Sequence, residues 1–131
     1  MYRLRENRDM LPETFASLVG TTLYEHRFGP FFVTPIVVGI QSGKAVLVTY
    51  DSIGNQTRTE HFAVGGTAAD NFYALCESYY REGISATELE DILANVLVSG
   101  VDRDILAGWG GIVYVLTEDK LEAKYLKMKQ V

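Results

Sequence analysis

The hydrophobic positions in the first half of the chain change from a helical period to strand-like runs. Apolar residues recur every three or four positions after Pro12, a residue favoured in the first turn of a helix, until Gly29-Pro30 ends the pattern. β-branched and aromatic runs follow, separated by turn residues at 41–44 and 51–55. The predicted strands are residues 31–40, 45–50 and 57–64, with Pro35 at an edge position or a bulge. This half therefore predicts a helix and a three-stranded antiparallel meander.

The second half shows helical spacing twice before a final pair of strands. Thr67 is predicted to cap the first helix, and Ser85 with Glu88 has the spacing of a capping box at the start of the second. The second helix carries an apolar stripe that we expect to be buried: Leu89, Ile92, Leu93, Val96 and Leu97. Residues 112–116 are too continuously apolar for a half-solvated strand, so we expect cover on both faces. Residues 120–128 alternate as the last strand.

The order of the predicted elements indicates a layered fold. Helix, three strands, two helices and two strands predict an α/β or α+β body in which sheets pack against helices. Four glycines near the junction before residues 112–116 indicate close backbone approach or positive φ angles: Gly100, Gly108, Gly110 and Gly111. No repeat, low-complexity segment or linker interrupts the pattern, so the 131 residues predict a single domain, 1–131.

Composition excludes several classes of function. The formal net charge of −5 disfavours nucleic-acid binding, because such proteins usually carry a basic face. One cysteine cannot form an internal disulfide and fits a reducing compartment. No apolar run reaches the ~18 residues of a membrane span. Residues 1–10 are charged and do not resemble a signal peptide.

The residues by themselves offer no strong active site. His26, His61 and Cys76 have unrelated spacings that match no zinc pattern, so we expect no metal and no cofactor. Cys76 paired with a histidine is conceivable as a nucleophile, but it lies on an apolar helical stripe, which favours an inert buried thiol. Arg103 between Asp102 and Asp104 predicts an ion-paired structural clamp, with a catalytic role as the alternative. The four aromatic residues within 72–80 are either a contact surface or part of the core.

Five collinear segments stand out: residues 23–32 followed by Pro35, residues 51–54, 62–67 and 76–78, and Val101-Asp102-Arg103-Asp104 with Gly108 and Gly110. Together they resemble the third beta-type subunit of the proteasome core particle. The resemblance covers nearly the whole chain. It implies the N-terminal-nucleophile hydrolase fold, a four-layer αββα sandwich within the α+β class. It also implies a subunit that is itself inactive while sister subunits carry out hydrolysis.

The chain departs from active members of that family in three ways. Residues 2–8 look like the last turns of a helix, and the leading strands and the N-terminal catalytic segment are missing, which predicts a fragment or an incomplete gene model. Ala107 and Gly66 stand where active paralogues carry supporting serines. Asp104 matches their supporting aspartate but lacks those neighbours. Missing strands would leave sheet edges and apolar faces open, so we expect the isolated chain to be poorly soluble or to self-associate.

The resulting hypothesis is a non-catalytic structural subunit in ring assembly and in the wall of the proteolytic chamber, for ubiquitin-dependent protein degradation. The resemblance implies other proteasome beta subunits and alpha-ring subunits as partners, a location in cytoplasm and nucleus, and no nucleic acid or membrane. Two alternatives belong to other classes. One is a small independent hydrolase using Cys76 or a hydroxyl nucleophile. The other is a free-standing interaction module.

Overall fold

A computed structural model describes residues 1–128 of the chain. Within them it contains four α-helices and five β-strands. The helices are α1 (Tyr2–Glu6), α2 (Pro12–Glu25), α3 (Ala69–Tyr79) and α4 (Ala86–Val101). The strands are β1 (Ile36–Gln41), β2 (Lys44–Tyr50), β3 (Gln56–Arg58), β4 (Gly110–Leu116) and β5 (Leu121–Lys127). From α2 onward this order matches the one that the hydrophobic pattern predicts.

The chain forms two compact units. The first unit, Met1–Ala63, contains α1, α2 and a three-stranded antiparallel sheet in the order β1-β2-β3. The second unit, Val64–Val131, contains α3, α4 and the antiparallel pair β4-β5. The predicted meander is therefore confirmed, and so is the final strand pair.

The hairpin between β1 and β2 has the predicted turn. Gln41 pairs with Lys44, and the two residues between them, Ser42 and Gly43, have φ angles of 52° and 74°. Positive φ at both central positions is the geometry of a type I′ turn, whose twist matches that of the flanking strands.

Two predicted strands are shorter than their sequence patterns. β1 begins at Ile36 and not at residue 31, because Pro35 has no N–H to donate and the side chain of Phe32 before it is fully exposed. β3 ends at Arg58 and not at residue 64, because the chain bends at Glu60 and His61 after Thr59 donates its N–H to the Leu47 carbonyl. Apolar content alone did not reveal where strand pairing stops.

The core of the first unit lies between α2 and one face of its sheet. It contains Ala16, Leu23, Val37, Val46, Val48 and Tyr50, with Val19 packed against it. The Tyr50 hydroxyl donates to the Ala16 carbonyl, so even the polar end of this side chain is bonded to the helix. Burial raises the pKa of Tyr50.

The opposite face of this sheet is open and apolar. Ile36 is 38% exposed and Val38 is 61% exposed, while Val37 between them is buried against α2. Period-two alternation places neighbours of one strand on opposite faces, so one face has a helical layer and the other has none. Ile40 and Leu47 on the same face are half-buried, so this face is most open at Ile36 and Val38.

In the second unit, α4 covers one face of β4. Val96 and Val113 are buried, and Gly111 lies so close to α4 that an added Cβ would be 2.7 Å from Leu97 Cδ2. The neighbour at Gly111 is a side chain and not backbone, and at Gly100 an added Cβ would overlap the ring of Phe72. These two glycines make room for side chains, so the predicted approach of backbone to backbone is not found at either position.

Two predictions of burial in this unit are wrong. The stripe of α4 is only partly covered, since Leu89 and Leu93 are 37% and 40% exposed. β4 is covered on one face only, because Ile112, Tyr114 and Leu116 point away from α4. A continuous apolar run shows that a strand suits cover on both faces, but it cannot supply the second layer.

The helix caps differ from the predicted ones in detail. Ser85 caps α4, as predicted, by accepting the N–H of Glu88 at 3.2 Å. The Glu88 carboxylate binds Arg81 and does not complete a reciprocal capping box. Thr67 does not cap α3, whose N-cap is Ala68. The Thr67 hydroxyl has another partner.

Candidate functional site

The site that the sequence singles out lies where α4 ends and the chain turns toward β4. Here Asp104 follows Val101, whose carbonyl accepts the Asp104 N–H at 3.0 Å. The Thr67 hydroxyl donates to Asp104 Oδ2 at 2.6 Å, and the Leu106 N–H donates to Oδ1 at 2.9 Å. Both carboxylate oxygens are thus hydrogen-bonded inside the second unit.

These two hydrogen bonds shift the pKa of the carboxylate. The Thr67 hydroxyl, followed by the Leu106 N–H, lowers the pKa of Asp104, because each donor stabilises the anion. A carboxylate with a lowered pKa is a poor general base at neutral pH. The geometry suits a fixed anchor that joins Thr67, in the segment before α3, to the loop after α4.

The anchor differs from the predicted clamp. We expected Arg103 to pair with the flanking aspartates, but within residues 1–128 Arg103 makes no ion pair with Asp102 or Asp104. The partner is Thr67, which is 37 residues away in sequence. The sequence does show the hydroxyl residue, Thr67, directly after Gly66. Its position shortly before a predicted helix favoured a capping role over a bond to a distant aspartate.

The two positions compared with supporting serines offer no hydroxyl. Gly66 has a φ of 95°, and no atom lies within 4 Å of where its Cβ would be. Ala107 is an exposed residue of the loop after Asp104. The only side-chain hydroxyl bonded to Asp104 in the described chain is therefore that of Thr67.

Cys76 lies on α3 and is half-buried. Burial raises the pKa of its thiol, which disfavours the reactive thiolate. Both histidines of the chain, His26 and His61, belong to the first unit, so Cys76 has none within its own unit. The half-buried position differs from the full burial expected, and the inertness of the Cys76 thiol stays a prediction.

The remaining predicted residues are placed as follows. His26 Nδ1 lies 3.0 Å from the Thr22 carbonyl oxygen, and the centroid of its ring lies 4.6 Å from that of Phe31, with the two rings tilted by 41°. Among the aromatic residues of 72–80, Phe72 packs on α4, whereas Tyr73 and Tyr79 are more than half exposed. That stretch therefore divides between core and surface.

Across residues 1–128, no three His, Cys, Asp or Glu side chains are grouped to hold a metal ion. No helix among the described residues combines the length and the apolar character needed to cross a membrane.

Both units are of the α+β class, with helices and an antiparallel sheet in each. A family model described as "Proteasome subunit" matches residues 1–116. The chain belongs to the proteasome subunit family, and the α+β, N-terminal-nucleophile hydrolase class of fold is confirmed.

Curated relatives carry the name of one subunit type. The proteasome subunit beta type-3 of Saccharomyces cerevisiae is 42% identical over 99% of the chain, and the beta type-3-B subunit of Arabidopsis thaliana is 46% identical over 97%. The beta type-3 subunit of Picea mariana is 45% identical over 97%. The predicted resemblance is therefore confirmed. The chain spans 63–64% of the length of these relatives.

Proposed function

We propose that this chain acts as a non-catalytic structural beta-type subunit of the proteasome core particle. The observation that carries the proposal is the identity of 42–46% to beta type-3 subunits over 97–99% of the chain. In this role the chain contributes to ring assembly and to the wall of the chamber in ubiquitin-dependent protein degradation. Its partners are other beta subunits and alpha-ring subunits, and it works in cytoplasm and nucleus.

The chemistry around Asp104 supports the absence of a catalytic role. Gly66 and Ala107 provide no hydroxyl beside it. Each oxygen of the carboxylate accepts one hydrogen bond, Oδ2 from the Thr67 hydroxyl and Oδ1 from the Leu106 N–H, which holds the side chain in place. Asp104 is thus a scaffold residue, and catalysis belongs to other subunits.

The open sheet faces support a four-layer αββα sandwich. Each unit has a helix on one face of its sheet and apolar side chains on the other, as at Val38 in the first unit and Tyr114 in the second. Burying such faces removes apolar surface from water, which stabilises the buried state by about 25 cal/mol of free energy per Å². We propose that they are inner faces of a single domain of the beta type, spanning residues 1–131.

Incorporation into the particle tests the proposal. An affinity-tagged chain is expressed in cells, core particles are purified through the tag, and peptide hydrolysis is measured on the particles and on the isolated chain. We expect the tagged chain to co-purify with the particle and the isolated chain to hydrolyse no peptide. A chain that stays outside intact particles would overturn the proposal.

The independent hydrolase is tested in the same experiment. Cys76→Ala removes the candidate thiol nucleophile, and Thr67→Ala removes the hydroxyl that is hydrogen-bonded to Asp104. Hydrolysis by the isolated chain that disappears with either change would favour an enzyme. Unchanged hydrolysis by particles containing Cys76→Ala supports the structural role.

A further inference from the structure

The end of α2 and the segment that follows it carry a group of aromatic residues around an arginine, which we call the aromatic patch: Tyr24, Arg27, Phe28, Phe31 and Phe32. The Arg27 guanidinium lies between two rings, 4.4 Å from the centroid of Tyr24 and 4.6 Å from that of Phe28. It also donates to the Tyr24 carbonyl at 3.2 Å. Stacking and hydrogen bonding together fix the orientation of the guanidinium before any partner arrives.

The apolar part of the patch is exposed. Phe28 is 91% exposed and Phe32 is 99% exposed, while Tyr24 is 55% exposed. These side chains stand outside the core of the first unit, which uses other residues of α2. Scattered single hydrophobic residues on a surface are ordinary. Here Tyr24 and Phe28 lie against Arg27, and the exposed Phe32 follows four residues after Phe28 in the chain, which is the composition of an interaction hot spot.

The positive charge of the patch, on Arg27, is not paired with an opposite charge in the described chain. Arg27 forms no ion pair within residues 1–128, although its guanidinium is held in place. The planar guanidinium presents paired donors that match a carboxylate. A partner that buries the neighbouring rings would also remove water from Arg27, so it must supply an acceptor to avoid a desolvated, unpaired charge.

We propose that the aromatic patch is a docking surface for a neighbouring proteasome subunit that offers an apolar pocket with an aspartate or glutamate at its rim. Phe28 and Phe32 enter the pocket, and Arg27 pairs with the carboxylate. The inference rests on the proposed function, because it requires that the chain stands beside other subunits. An anionic membrane is disfavoured, since the chain has a net charge of −5.

Site-specific cross-linking in the assembled particle tests the contact. The photoreactive residue p-benzoylphenylalanine replaces Phe32, and in a control chain it replaces Leu4, which is 89% exposed and outside the patch. We expect position 32 to cross-link to a peptide of another subunit that contains aspartate or glutamate, at a yield well above that of position 4.

Three outcomes would overturn the inference alone: a particle that contains the chain without an inter-subunit cross-link from position 32, a cross-link within the same chain, or one to a second copy of it. A chain that does not enter the particle overturns the proposed function together with the inference. Incorporation into the particle, measured apart from the cross-link, thus separates failure of the contact from failure of assembly.

Substitution of Arg27 tests the charge. Arg27→Gln removes the cation, and Arg27→Lys keeps the charge but loses the planar stacking surface. In competition with the wild-type chain for incorporation, we expect Arg27→Gln to be weaker by about tenfold and Arg27→Lys to be intermediate. Leu4→Ala should compete equally. Equal incorporation of Arg27→Gln and wild type would overturn the inference.

Discussion

Gly54 provides the sharpest test of how the first unit is packed. It lies in the turn of residues 51–55, where Asp51 Oδ1 accepts the N–H groups of Ile53 at 3.0 Å and Asn55 at 2.8 Å. Gly54 has a φ of 89°, and an added Cβ would overlap the carbonyl oxygen of Gly20 in α2. The obstacle is helix backbone, which cannot rotate away as a side chain can.

The cost of Gly54→Ala follows from two effects. The left-handed conformation costs an alanine about 1–2 kcal/mol. Overpacking against a rigid neighbour adds about 1–3 kcal/mol, and the reduced freedom of the unfolded chain offsets about 0.4–1 kcal/mol. We therefore expect Gly54→Ala to lower the free energy of unfolding of the first unit by about 3 kcal/mol, from these terms together.

Two glycines serve as matched controls. Gly66 has a φ of 95° with nothing near its Cβ position, so Gly66→Ala isolates the backbone effect, at about 1 kcal/mol in its own unit. Gly29 has neither a neighbour within 4 Å nor a left-handed φ, so Gly29→Ala should change stability by less than about 0.5 kcal/mol.

Hydrogen–deuterium exchange with mass spectrometry measures each unit separately, through peptides from α2 and β2 for Gly54 and from α3 for Gly66. A loss of about 3 kcal/mol corresponds to exchange faster by roughly a hundredfold. If Gly54→Ala cost no more than Gly66→Ala, the close contact between this turn and α2 would be refuted.

Three further predictions concern titratable groups. Tyr50→Phe removes the hydrogen bond to Ala16 and should lower the free energy of unfolding, measured in urea, by about 1 kcal/mol. Because the folded pKa of Tyr50 is raised, the wild-type stability should fall as pH rises above about 10, and the variant should lose less stability there. Parallel curves of stability against pH for the two proteins would contradict the burial of the hydroxyl. Thr67→Val should raise the pKa of Asp104, measured by NMR of the carboxyl carbon, and an unchanged pKa would exclude Thr67 as the main donor. Since the wild-type pKa is lowered, the ionised Asp104 stabilises the fold above about pH 4, and this stabilisation is lost as pH falls through the folded pKa. Iodoacetamide should alkylate Cys76 more slowly than a free thiol at pH 8, and unfolding in urea should remove the difference; faster alkylation in the folded chain would instead indicate an activated thiolate.

Local patterns in the sequence predicted the elements well wherever neighbouring residues decide the structure. Pro12 begins α2, Ser85 caps α4, and positive φ angles at Ser42 and Gly43 close the first hairpin. Each of these depends on backbone geometry within a few residues. The resemblance to beta-type subunits likewise came from short collinear segments.

The sequence by itself thus determined the order of helices and strands and the family. Tertiary structure decided which faces are covered and which partners the polar groups have: Val113 is buried while Tyr114 is exposed, and Thr67 bonds to Asp104 when a capping role was predicted. The physical reason is range. Periodicity and caps depend on residues close in the chain, whereas a second layer over a sheet or a hydroxyl 37 residues away depends on how the elements pack.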